Sequence, residues 1–215
     1  KNILEVLNTY QRQKLDESND EDFYSEPKFV YHLDENFRKY LSHIYKDEIK
    51  ESSTILDLMS SWDSYLPSDK VYKKVIGHGL NKDELKRNKS LKSFWIQNFN
   101  LNQKIPLDSK SVDYCLMVAA WQYLQYPENL TKEIARILSD GGKILVSFSN
   151  RAFWHKAPNI WTTSTEEERL KYVRKVLISN GFKEPKIIKK FYDQKFNFLP
   201  FFQNDPFYCL IAIKE

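Results

Sequence analysis

The chain predicts an α/β fold built on one open, mostly parallel sheet, and three observations carry that expectation. The apolar run Thr54-Ile55-Leu56-Asp57-Leu58 delivers an acidic residue and breaks into a turn of small side chains, as the first strand of a nucleotide-binding α/β domain does. Strand and helix signals then alternate as far as Gly181. Beyond that glycine two strand-like runs follow each other with no helical pattern between them, so they pair antiparallel.

Taken in order, Ile3 to Leu7 reads as a short helix, and the polar stretch Gln11 to Asp22, with little to bury, reads as a mobile connection. Phe23 to His32 crowds aromatics around Pro27 without periodicity, which suits a lid or pocket wall and equally suits a cover over one edge of the core. Asp34 caps a helix that carries Phe37, Leu41, Ile44 and Tyr45 on one face. Strands are expected at 54–59, 71–78, 94–98 and 112–119. Pro127 opens a helix striped by Leu130, Ile134 and Leu138, ended by Gly141-Gly142 before a fifth strand at 143–149. Ser164 and Glu167 have capping-box spacing for a helix that buries Leu170, Val173 and Leu177 and stops at Gly181. Pro185 to Tyr192 and Phe207 to Ile213 are the last two strands, joined by the loop 193–206.

A length of 215 residues suits one compact unit, with residues 1–50 supplying N-terminal helices and the aromatic segment and 51–215 the α/β domain. The 33 basic and 29 acidic residues are interspersed, so the formal charge of +4 describes a mixed solvated surface, and nucleic acid is not implied. No apolar run reaches the ~18 residues a membrane span needs, and no signal segment is visible, so a cytoplasmic protein is expected. The oligomeric state cannot be read. Cys115 and Cys209 lie in apolar strand-like runs and read as buried, reduced thiols. Histidines at 32, 43, 78 and 155 have no ligand spacing, so no metal site is expected. Phosphate-loop, nucleophile-elbow and dinucleotide fingerprints are absent from the sequence.

Five parallel strands closed by an antiparallel pair, with Leu56-Asp57-Leu58-Met59-Ser60-Ser61-Trp62 in place of a glycine-rich turn, resemble the class I S-adenosylmethionine-dependent methyltransferases over roughly residues 28 to 215. The likeness is to a branch whose first motif lacks glycine. It implies a Rossmann-like methyltransferase fold: a seven-stranded mixed sheet in the order 3-2-1-4-5-7-6, strand 7 antiparallel, with helices on both faces. In that order the fifth strand separates Cys115 from Cys209 and rules out a disulfide between them. The resemblance also implies S-adenosyl-L-methionine as cofactor and a small-molecule methyl acceptor. Its ligand loops fall on 57–63, 77–81, 97–100 and the segment after Met117. The cofactor-binding candidates are thus Asp57, Met59, Ser60, Ser61, Trp62, Gly79, Asn81, Asn98, Phe99, Ala119 and Trp121.

Within this pattern Asn98 stands where the family's acid accepts from the adenine amino group, and Phe99 is placed to pack on the ring. The acidic ribose partner expected about 20 residues past the first turn is missing. Gly79 occupies its place, leaving Asn81 or His78 as neutral, weaker partners. Met59 and Trp62 either fill the space of the cofactor's methionine moiety or turn into the core, Trp62 then covering a short helix before Leu66-Pro67. After the fourth strand, Ala119-Ala120-Trp121-Gln122-Tyr123 lacks the Asn/Asp-Pro-Pro-aromatic signature of many amino-group methyltransferases. His32, Tyr123 and Arg151 are the candidate catalytic residues, His32 being the one that titrates near neutrality. Each also has a purely structural reading: His32 bonded to nearby backbone, Arg151 to a surface carboxylate, Asn81 and Asn98 as turn formers, Asp57 as a turn anchor. Two functions stay open beside methyl transfer to a small molecule. One is a non-catalytic relative that binds another ligand or a protein; the other is transfer to RNA or protein.

Overall fold

The structure is a computed structural model that describes residues 3–192 and 204–215. The alternating apolar runs become seven strands: β1 (Thr54–Leu58), β2 (Lys74–Gly79), β3 (Ser93–Ile96), β4 (Val112–Val118), β5 (Leu138–Phe148), β6 (Lys186–Lys190) and β7 (Phe207–Ile213). They form one sheet in the order β3-β2-β1-β4-β5-β7-β6, parallel from β3 to β5, with β7 antiparallel to both neighbours. Cys115 lies on β4 and Cys209 on β7 with β5 between them, and both are buried free thiols whose pKa burial raises, that of Cys209 to about 12.

Successive residues of a strand face opposite sides, and the core divides accordingly. Leu56, Leu58, Cys115, Met117, Ile144 and Val146 pack with α5 (Pro127–Ile137) and α7 (Glu166–Ser179) on one face. Ile55, Val75, Tyr114, Leu116, Leu145 and Cys209 pack on the other with α3 (Glu35–Glu48), through its Phe37, Leu41, Ile44 and Tyr45. The expected helix before Leu66 does not form, and the whole connection 59–73 between β1 and β2 lacks one. The N-terminal α3 covers this second face, so residues 1–50 complete the sandwich that the later strands begin.

The shorter helices are α1 (Thr9–Arg12), α2 (Asp20–Phe23), α4 (Lys82–Arg87) and α6 (Asn159–Thr162). Ile3 to Leu7, expected as a helix, is extended instead. The N–H groups of Val6 and Leu7 donate to the Glu128 carboxylate (2.8 and 2.9 Å), which also pairs with Arg12, so long-range bonds replace the local ladder. Nor is 11–22 a loose connection. Lys14 pairs with Asp20 at 2.8 Å, and the fully buried Lys156 donates to the Ser18 carbonyl and pairs with Asp16. α5 stops at Ile137, short of the glycines, because Leu138 already pairs with Val112 at the start of β5. Gly141, at φ +75°, then accommodates an irregularity in that strand pair. The capping box of α7 is Thr165 with Glu168, one residue after the expected pair; Ser-Thr followed by three glutamates offers two frames, and packing selects the second. No described helix is long and apolar enough to cross a membrane, and no metal-type cluster of side chains occurs among the described residues.

Candidate functional site

The loops after β1, β2, β3 and β4 converge at one edge of the sheet and enclose a cavity of about 390 Å³. That volume is within the range of small-ligand sites. Among the eleven residues expected to bind cofactor, Asp57, Met59, Ser60, Ser61, Gly79, Asn81, Asn98, Phe99 and Ala119 line it. The two tryptophans do not. Trp121 opens a 3-10 turn (Trp121–Tyr123) and is buried in the core beside Tyr172. Trp62 faces outward: its ring lies 4.5 Å from that of Tyr31 and its indole N–H donates to the Val30 carbonyl at 3.3 Å.

Met59 answers the absence of glycine directly, taking the left-handed conformation, φ +53°, that a glycine would adopt without strain. Its side chain packs against the core while also forming part of the cavity wall. Ala119, at the end of the neighbouring β4, has φ +49°. Two non-glycine residues thus hold a sparsely populated conformation at adjacent strand ends. The glycine the loop needs is on β2: a Cβ on Gly79 would lie 2.7 Å from the Ser60 carbonyl oxygen.

His78 fastens the three strand ends together. Its Nδ1 accepts from the Met59 N–H at 3.0 Å, and its Nε2 donates to the Gln97 carbonyl at 2.7 Å, which defines a neutral tautomer. The ring also lies 4.0 Å from that of Phe99. Burial pushes its pKa down to about 4. One strand over, burial pushes the Asp57 carboxyl up to about 7, against the opposing hydrogen bond from Ser60 Oγ at 2.5 Å. Both strand-end residues are therefore held toward their uncharged forms.

Asn81, read as a neutral ribose partner, lies in the wall but is fully committed. Its carbonyl oxygen caps α4 at the Asp83 and Glu84 N–H groups, and its amide donates to the Tyr24 and Ser25 carbonyls. Asn98 Oδ1 accepts from the Asn100 N–H at 2.9 Å, an Asx-turn that leaves one lone pair of that oxygen. Glu84, in the first turn of α4, is a wall residue that sequence reasoning missed. It accepts from Ser61 Oγ at 2.7 Å and from the Lys28 N–H at 2.7 Å. Its signal was available: an Asn cap followed by acids at the second and third helical positions, just after β2.

The remaining wall comes from the aromatic segment and the turn after β5. Tyr24, Lys28, Tyr31, His32 and Leu33 face Gln122, Tyr123, Arg151, Ala152 and Phe153. All three catalytic candidates, His32, Tyr123 and Arg151, are thus brought to the same cavity. Partial burial and the charge of Lys28 lower the His32 pKa. Tyr123 accepts from the Phe153 N–H at 3.0 Å, and Arg151 Nε donates to Asp205 at 2.5 Å. Lys28, Phe153 and Gln122 were also missed, because their segments carry no periodic signal and only tertiary folding brings them to the strand ends.

A methyltransferase-domain family model matches residues 63–146, beginning just past the glycine-free turn. No curated protein matches by sequence. Among solved structures, a SAM-dependent methyltransferase from Archaeoglobus fulgidus is similar at TM-score 0.61 and 16% identity, over 84% of this chain and 97% of that one. A Thermotoga maritima SAM-dependent methyltransferase, a possible histamine N-methyltransferase, is similar at TM-score 0.58 and 20% identity, over 84% and 90%. The geranyl diphosphate C-methyltransferase of Streptomyces coelicolor, solved with S-adenosyl-L-homocysteine, is similar at TM-score 0.53 and 14% identity, over 82% and 78%. By its strand order the chain has the fold of the class I S-adenosylmethionine-dependent methyltransferases, and a methyltransferase-domain model matches it over residues 63–146.

Proposed function

We propose that the chain binds S-adenosylmethionine at the ends of β1 to β4 and directs its methyl group to a small molecule. The observation that carries this reading is the convergence of all four strand-end loops on one cavity, with Gly79 bare of side chain where the first loop passes closest. The residues present fit the cofactor, with one substitution of role. Glu84 takes the place of the missing strand-end acid toward the ribose hydroxyls, since a carboxylate accepts more bonds than the two it now holds. Asn98 offers its remaining carbonyl lone pair to an adenine amino group, beside Phe99. When bound, the cofactor supplies a methyl group that leaves the sulfonium as the acceptor atom bonds to its carbon, the electron pair of the broken bond staying on sulfur.

The chain's own work is to orient the acceptor, exclude water and move a proton. His32, at the mouth and with a lowered pKa, is neutral near pH 7 and takes the proton released by a hydroxyl or amine acceptor. The aromatic segment closes over the cavity, bonded to the first loop through Tyr31–Asp63 and to α4 through Lys28 and Asn81.

A second reading, a non-catalytic relative, is favoured by Met59 in the wall and by the complete commitment of Asn81. Calorimetry with S-adenosylmethionine and S-adenosylhomocysteine separates the two. Saturable binding of both is expected, weakened in Glu84→Gln; no heat with either at millimolar ligand overturns the methyl-transfer reading.

A further inference from the structure

Lys28 lies in the cavity wall, and its ammonium has no hydrogen-bond acceptor and no carboxylate partner among the described residues. It rests instead over aromatic faces, 4.5 Å from the ring centre of Phe23, 4.9 Å from that of Phe153 and 5.8 Å from that of Tyr24. Such contacts compensate a cation only in part and satisfy none of its three N–H donors. Of the carboxylates in the same wall, only Asp20 is paired with cations among the described residues, and the others are hydrogen-bonded to neutral donors. Asp20 pairs with Lys14 and Lys156, Asp63 accepts from Tyr31 and from the Tyr65 N–H, Glu84 accepts from Ser61 and the Lys28 backbone, and Asp57 accepts from Ser60. Arg151, also in this part of the wall, has its charge matched by Asp205. Of the two cations packed on the aromatic segment's rings, Lys156 is paired with carboxylates, and Lys28 has none among the described residues.

We infer that the methyl acceptor is a small aromatic anion, whose carboxylate-type group pairs with Lys28 while its ring lies against Phe153 and Tyr123. The inference rests on the methyl-transfer reading for the word acceptor, though not for the anion site itself. Charge selects the class: an amine would enter against an ammonium already seated on the rings, whereas a carboxylate completes its bonding. Ring shape selects the rest. Phe153 lies 5.7 Å from His32 and 6.2 Å from Tyr123, all three in the cavity wall, an aromatic lining in which a flat ring finds both edges and faces. An anion paired with Lys28 would also reduce the positive field on His32, which keeps the imidazole competent to accept a proton.

The test is calorimetric titration of the whole chain, with and without saturating S-adenosylhomocysteine, using 4-hydroxybenzoate, its neutral isostere 4-hydroxybenzamide, and tyramine. The acid is expected to bind at least about ten-fold more tightly than the amide, the worth of one charge-assisted bond. That preference should vanish in Lys28→Met and persist in Lys28→Arg, with S-adenosylhomocysteine affinity unchanged in both, which shows the variants fold. Equal binding of acid and amide, tighter binding of tyramine, or binding of none of the three overturns the inference. If the acid preference holds while S-adenosylhomocysteine fails to bind, the anion site stands and the methyl-transfer reading falls.

Discussion

At the β1–β3 end of the cavity the polar side chains are already bonded to protein, whereas at the end formed by the aromatic segment Lys28 has no acceptor among the described residues and His32 sits at an open mouth. The first end is a frame. His78, Asp57 and Asn81 give their hydrogen bonds to backbone and loop, so that a connection without glycine and without a following helix still holds one shape. The second end keeps the Lys28 ammonium and the His32 ring free of side-chain hydrogen-bond partners among the described residues. Substitutions in the frame should therefore cost stability first and binding second, and substitutions at the mouth should do the reverse.

The largest effect is expected for His78→Ala, which leaves the Met59 N–H unpaired and removes a buried ring packed on Phe99 and Trp95. Urea denaturation should show a loss of about 3 kcal/mol, the usual scale for deleting a buried aromatic with its bonds. A smaller loss would mean that the loop holds itself without the histidine.

Proton linkage sharpens the comparison. His78 has a folded pKa near 4 against an ordinary 6.5, so its contribution is lost as pH falls from 6.5 to 4. Asp57, raised from 3.8 to about 7, acts with the opposite sign, because the folded state keeps a proton that the unfolded state has released, and stability falls as pH rises from 4 to 7. The two slopes oppose each other between pH 4 and 6.5. In Asp57→Asn the histidine slope should emerge alone, a decline of about 3 kcal/mol as pH drops through that window. Denaturation midpoints measured at several pH values would check it; a flat profile in the variant would remove His78 as a neutral staple.

Gly79→Ala places a methyl group against the Ser60 carbonyl and should cost about 1–3 kcal/mol, as overpacking does, while abolishing S-adenosylhomocysteine binding. Retained binding would show that the first loop is free to move. Glu84→Gln trades a charge-assisted acceptor for a neutral one and should weaken that ligand by about 1–2 kcal/mol with little change in folding. The smallest effect on stability belongs to His32→Asn, within about 0.5 kcal/mol for an exposed side chain. A larger loss by thermal melting would move His32 from the mouth into the frame.

Elements with a strong period were readable from sequence. β4 alternates Cys115 and Met117 against Tyr114 and Leu116, and α3 repeats Phe37, Leu41, Ile44 and Tyr45, so each pattern names its own buried face. Boundaries failed where two frames competed, as at Thr165, or where strand pairing claimed a helix end, as at Ile137. Irregular segments failed more deeply. Nothing local distinguishes an extended Ile3–Leu7 from a helix, because the Glu128 carboxylate that holds it is more than a hundred residues away.

By itself the sequence determined the strand order's raw material, the acidic end of β1 and the burial of both thiols, because strand periodicity and turn chemistry act over a few residues. Only the tertiary structure decided which loop residues face the cavity. Trp121 turned into the core and Trp62 outward onto Tyr31, Asn81 was consumed as a cap, Glu84 reached the wall from the first turn of α4, and Lys28 came from a segment with no periodic signal. A side chain's partner is fixed by what the rest of the chain brings within hydrogen-bond reach, and that distance exists only after folding.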